Sequence, residues 1–224
     1  MTEEDAKAWL VDTLHVSRET FDRLDAYREM VLAETAHQNL IARSTFDVFW
    51  ARHILDSAQL LTHIGAAPAG PWLDLGAGAG LPGIVLAIIG NRPVHMVEER
   101  RGRIGFLNRV VAALNLENAT VHGCKVEALR LPPAAIITAR AFAPLPKLFD
   151  LAHRFAGPDT LWLLPKGRSA QDEVETARAN WQAVFHVKHS LPVCTSSFHF
   201  ILRGAPFWQE PKRIWPGKTV GKIK

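Results

Sequence analysis

The 224-residue chain is expected to fold as α/β, with a doubly wound, mostly parallel sheet of seven strands behind an N-terminal helical extension. Three observations predict this. Short apolar runs alternate with helical segments from Trp72 onward, and a glycine-rich turn, GAGAGLPG, follows the first of those runs. Ahead of them, residues 1–64 place apolar side chains three and four apart, the helical period.

The first helix carries Ala8, Val11 and Leu14; the second carries Phe21, Leu24, Tyr27, Met30 and Val31, with Ser17 placed to cap it three residues before Thr20. A third is expected to start after Ser44 or Thr45 and to carry Phe49, His53, Leu60 and Leu61. The linker 65–71, GAAPAGP, ends the helical region. Strands are then expected at 72–75, 94–97, 119–122, 135–139, 160–164, 184–188 and 198–202, with helices near Pro82, Gly102, Pro146 and Ala170. The last two strands lack an intervening helix, as in a hairpin-like sheet end. This divides the chain into a helical region 1–66, a sheet domain 67–206 and a basic tail 207–224.

Composition narrows the function classes. With 48% hydrophobic and 21% charged residues the chain has the make-up of a soluble globular protein. The apolar run 81–90 is too short to span a bilayer and the N-terminus MTEEDAKAWL is acidic, so the expectation is a cytoplasmic protein with no membrane partner, as a monomer. Cys124 and Cys194 lack ligand or disulfide spacing, so no metal site is expected. A net charge of +4 leans towards an anionic partner. Arg18, Arg23, Arg28, Arg43 and Arg52 lie in the N-terminal third. Arg203, Lys212, Arg213, Lys218, Lys222 and Lys224 close the chain among Phe207, Trp208 and Trp215, either as an RNA-binding tail or as a strap pinned by its tryptophans.

Ligands of doubly wound sheets sit beyond the strand C-termini at the switch point, and every chemical motif falls there. Gly78, Gly80 and Gly83 satisfy the dinucleotide fingerprint, whereas Gly76, Gly78 and Gly80 satisfy the G-x-G-x-G loop of S-adenosylmethionine enzymes. A strand ending at Leu75, with Asp74 near its end, favours the second register: Gly76 becomes the first loop glycine, and Leu81 stands where the dinucleotide motif wants its last one. About twenty residues on, Glu98 can accept hydrogen bonds from ribose hydroxyls, with Glu99 as the substitute. Val126 and Glu127 follow the third strand, Arg140 the fourth and Lys166 the fifth. An arginine at the sheet mouth can pair with a carboxylate or phosphate.

The blocks Asn39-Leu40, RHILDS at 52–57, GAGAGLPG, Glu98 with RIGFL, Val126-Glu127, ARAFA at 139–143 and Lys166-Gly167 together resemble the RsmG (GidB, glucose-inhibited division protein B) family. The resemblance extends from about Asp22 to Leu202. It implies a Rossmann-like class I sheet and transfer of a methyl group from S-adenosylmethionine to a guanine N7 of small-subunit 16S rRNA, leaving S-adenosylhomocysteine. It also implies cofactor positions at Gly76, Leu81, Val126, Glu127 and Arg140, and places Asn39 and His53 near the mouth as substrate-positioning candidates with Arg140 and Lys166. The family's tryptophan before its Asn-Leu is absent here, where Glu34 and Ala36 stand. N7 already presents a lone pair, so no general base is required. Competing readings are an NAD(P)-dependent oxidoreductase, a methyltransferase for a small molecule or protein, and a non-catalytic RNA-binding protein.

Overall fold

The computed structural model describes residues 2–65, 67–167, 170–178, 181–182, 186–189, 191, 198–204 and 206–208. Seven strands form its main sheet: β1 (Trp72–Leu75), β2 (Val94–Val97), β3 (Ala119–His122), β4 (Ala134–Thr138), β5 (Ala156–Lys166), β7 (His186–His189) and β8 (Phe198–Arg203). Their order across the sheet is β3-β2-β1-β4-β5-β8-β7. A two-residue pair, β6 (Trp181–Gln182) with β9 (Phe207–Trp208), forms a separate ribbon that the sequence pattern did not announce. β1 to β5 run parallel, while β8 is antiparallel to both β5 and β7, the hairpin-like end expected from the missing helix.

Two helices lead the chain. α1 (Glu3–Leu14) is closed by a capping box in which the Asp5 amide donates to the Thr2 hydroxyl and Asp5 accepts from the Thr2 amide. α2 (Arg18–Thr35) begins at Ser17, whose hydroxyl accepts from the Thr20 amide. The expected third helix is a composite: a 3-10 segment Arg43–Val48, a π turn Trp50–Leu55, the short α3 (Asp56–Ala58) and a second 3-10 turn Gln59–His63. A carboxylate from α1 fixes its geometry, since Glu3 accepts from the amides of Trp50 and Ala51 at 3.0 and 2.9 Å. Sequence periodicity does not distinguish such a mixed coil from an α-helix.

The remaining helices are α4 (Gly83–Ile89), α5 (Arg101–Ala113), α6 (Leu145–Ala152) and α7 (Ala170–Arg178). Trp72 and Met96 face a core that also contains Leu10, Tyr27, Ile54, Ile84 and Phe106, so the N-terminal helices share one apolar cluster with this face of the sheet. Leu73, Leu75 and Ile137 point the opposite way, towards Leu148, Phe149 and Val174. Alternation along each strand therefore fills both layers and leaves the loops at the C-terminal strand ends to form the site.

Candidate active site

Two cavities open side by side over the C-terminal ends of β1 to β5, about 410 and 480 Å³ in volume, and residues 141–143 line both. The smaller is walled by Gly76, Glu98, Val126 and Glu127, four of the positions expected around the cofactor. The larger is walled by Arg52, His53, Asp56, Arg140 and Lys166.

The glycine loop is built from its backbone outward. Gly76, Gly78 and Gly80 have φ of +70, +59 and +94°, values that residues with a Cβ rarely adopt. Gly80 is also packed: a Cβ there would run into Ile84 and Leu107. From the helical extension, the buried Tyr27 hydroxyl donates to the Ala79 carbonyl at 2.8 Å. Asp74 lies beneath the loop, only 1% exposed, accepting from the Gly83 amide at 3.0 Å and the Thr138 hydroxyl at 3.1 Å. Burial raises its pKa to about 6 against those hydrogen bonds. Asp74, Gly80 and the buried Leu81 thus shape the loop from within rather than lining the cavity.

Glu98 is 5% exposed and largely occupied. One oxygen accepts from the amides of Glu99 and Arg100, both at 2.9 Å; the other accepts from Gly78 at 2.9 Å and lies 3.8 Å from Arg103. The acid chosen as a ribose acceptor is therefore also the brace that fixes the loop. Its second oxygen retains capacity for a hydroxyl. Arg103 reaches on to the Asn39 carbonyl at 3.4 Å, which puts the exposed Asn39 beside the smaller cavity without lining it.

In the larger cavity Arg140 donates to Asp56 at 3.2 Å and approaches Nδ1 of His53 at 3.3 Å. The other imidazole nitrogen is 2.8 Å from the Thr45 hydroxyl, which itself donates to the Ala42 carbonyl at 2.7 Å. The hydroxyl proton being committed, Nε2 carries the imidazole hydrogen and Nδ1 accepts from the guanidinium. Burial first, then the charges of Arg140 and Arg52, lowers the His53 pKa to about 3. Arg140 thus sits with Asp56 on the wall of the larger cavity, apart from the smaller one that its cofactor assignment implied.

Lys166, expected at the rim as a substrate-positioning residue, is engaged within the protein. Its side chain is 9% exposed, and its ammonium donates to the Ala143 carbonyl at 2.9 Å and to Glu173 at 2.8 Å; Glu173 also accepts from the Leu145 amide at 3.1 Å. It clamps the segment after β4 onto α7. Sequence reasoning passed over Asp56, Thr45, Tyr27 and Glu173 as functional residues. Asp56 alone had a local signal, standing one helical turn after His53.

The geometry is that of an S-adenosylmethionine fold, and the comparisons agree. The GidB family model, described as rRNA small subunit methyltransferase G, matches residues 20–201. The chain belongs to the GidB family. Ribosomal RNA small subunit methyltransferase G of Novosphingobium aromaticivorans is 48% identical over 194 residues, covering 85% of this chain and 84% of the relative. The protein of the same name from Zymomonas mobilis is 46% identical over 199 residues, covering 85% and 89%. Among solved structures, a SAM-dependent methyltransferase from Aquifex aeolicus superposes with a TM-score of 0.53 at 16% identity, over 69% of this chain and 91% of that one. An MtNAS variant in complex with S-adenosylmethionine gives 0.56 at 16% identity, over 91% and 84%. GidB membership sets aside the oxidoreductase and the non-catalytic readings.

Proposed function

We propose that this GidB protein transfers a methyl group from S-adenosylmethionine to N7 of a guanine in 16S rRNA of the small ribosomal subunit. The observation that carries the reading is the pair of adjoining cavities at the switch point, one built around the glycine loop and Glu98, the other around Arg52 and Arg140. The smaller fits the cofactor by its donor set: a turn of φ > 0 glycines for close approach, a carboxylate for ribose and Val126 as an apolar wall.

When bound, S-adenosylmethionine supplies a methyl group already activated by its sulfonium. The chain's residues need only align the acceptor, and orientation alone can supply up to about 7–11 kcal/mol. His53 is consistent with this, because both ring nitrogens are engaged and the ring stays neutral through the physiological range. Arg140, held by Asp56 and His53, is a positioning group for an RNA phosphate or the cofactor carboxylate. Lys166 acts indirectly, through the segment it clamps. In A-form RNA N7 lies in a groove too narrow for protein, so the acceptor is a loop or flipped-out guanine.

We assign the helical extension 1–66 to bracing the loop, 67–206 to catalysis and 207–224 to a basic tail, in a cytoplasmic monomer. The described residues contain no helix long and apolar enough to cross a membrane. The test is mass spectrometry of 16S rRNA incubated with purified protein and S-adenosylmethionine. One N7-methylguanosine is expected. Methylation of another base or none, with an intact fold and bound cofactor, would overturn the assignment.

A further inference from the structure

Phe142 is the aromatic side chain common to both cavities. It is half-buried, and it packs against the cluster that holds Leu148 and Phe149. Its ring lies so close over Gly76 that a Cβ on that glycine would overlap it. The preceding Ala141 sits at φ +50°, a left-handed conformation that alanine rarely takes, and turns the chain back towards the loop. Lys166, through the Ala143 carbonyl, and Glu173, through the Leu145 amide, hold the segment from the other side. A strained, doubly anchored turn therefore delivers one aromatic ring to the seam that a base must reach to meet a methyl group.

Resting on the methylation reading above, we propose that Phe142 is the platform on which the target purine stacks during transfer and the group that receives its developing charge. The N7–carbon bond forms as the sulfur–carbon bond breaks with its electron pair left on sulfur. Positive charge passes to the purine, and no proton moves. An aromatic face attracts a cation through its quadrupole, so the contact strengthens as the reaction proceeds. Arginine could not serve there, because its charge would oppose that of the product; Arg140 is instead directed to Asp56. Every base has a face that stacks, so the platform holds the purine while other contacts select guanine.

The test is single-turnover methylation of 16S rRNA, with S-adenosylhomocysteine titrated calorimetrically in parallel. Phe142→Leu, similar in apolar bulk, should slow transfer by about 2- to 30-fold, the rate equivalent of one cation–π contact. Binding of S-adenosylhomocysteine should hold within about twofold. Near-isosteric fluorinated phenylalanines at position 142 should lower the rate progressively as fluorine withdraws ring charge, a trend that a packing role would not produce. Equal rates across the fluorinated series, or an affinity loss that matches the rate loss, would overturn the platform while leaving the methyltransferase reading standing. Wild-type protein that leaves 16S rRNA unmethylated would overturn that reading itself.

Discussion

Glu98 gathers three backbone amides and one guanidinium on a single carboxylate, so its replacement tests the loop and the ribose contact together. Glu98→Gln presents an amide nitrogen to donors that already point at it. A loss of about 1.5–3 kcal/mol is expected, the worth of a hydrogen bond to a charged group. Both S-adenosylmethionine and S-adenosylhomocysteine should weaken alike in calorimetry, with a lower Tm. Unchanged affinity for both would move the ribose contact to Glu99. His53 makes a different prediction. Its folded pKa of about 3 lies below the ordinary 6.5, so the native state binds fewer protons than the unfolded chain between those values. Its contribution is complete above pH 6.5 and is lost as pH falls towards 3. The stability gap between wild type and His53→Gln should narrow over that window, and the methyl-transfer rate should stay nearly flat from about pH 6 to 9. A rate that rises through one ionisation and loses that rise in His53→Gln would make the histidine a base. Sequence pattern singled out Glu98 and His53 but carried nothing of their bonds. Partners such as Asp56 and Arg140 lie 84 positions apart, and no local pattern carries that separation.

Among the elements, α2 does the least expected work, because a helix outside the sheet supports the cofactor loop through one phenol. Tyr27 is fully buried, and its hydroxyl satisfies the Ala79 carbonyl. Tyr27→Phe would leave that carbonyl without its partner at a cost of about 1–3 kcal/mol. A Tm drop of about 2–4 °C per kcal/mol is expected for a chain of this size, together with weaker S-adenosylhomocysteine binding. A Tm loss with unchanged affinity would mean that the loop holds its shape without α2. The helical face of Leu24, Tyr27 and Val31 was legible from spacing alone, as were the seven strands of the main sheet, because both periods are local. The composite coil from Arg43 to His63 was not, because Glu3 sets its turns from more than 40 residues away. Strand bounds shifted by one residue in β4, which starts at Ala134 and ends at Thr138, and by four at the start of β5, which begins at Ala156.

For the whole molecule, charge and topology answer different questions. Topology puts the two cavities at one end of the sheet, where the cations after β4 and β5 are already paired: Arg140 with Asp56 and Lys166 with Glu173. Those two cations are thus committed to carboxylates, and attraction of RNA falls to other arginines and lysines, Arg52 on the wall of the larger cavity among them. Lys212, Arg213, Lys218, Lys222 and Lys224 lie outside the described residues, so the sequence alone carries this last prediction. Deleting 211–224 should weaken RNA binding and flatten its salt dependence, the log–log slope falling by about 0.7–0.9 for each phosphate that the tail had neutralised. S-adenosylhomocysteine affinity should not change, because every proposed cofactor contact lies within 74–140. A truncated protein that keeps the full slope but melts earlier would make the tail a strap, leaving phosphate binding to Arg43 and Arg52.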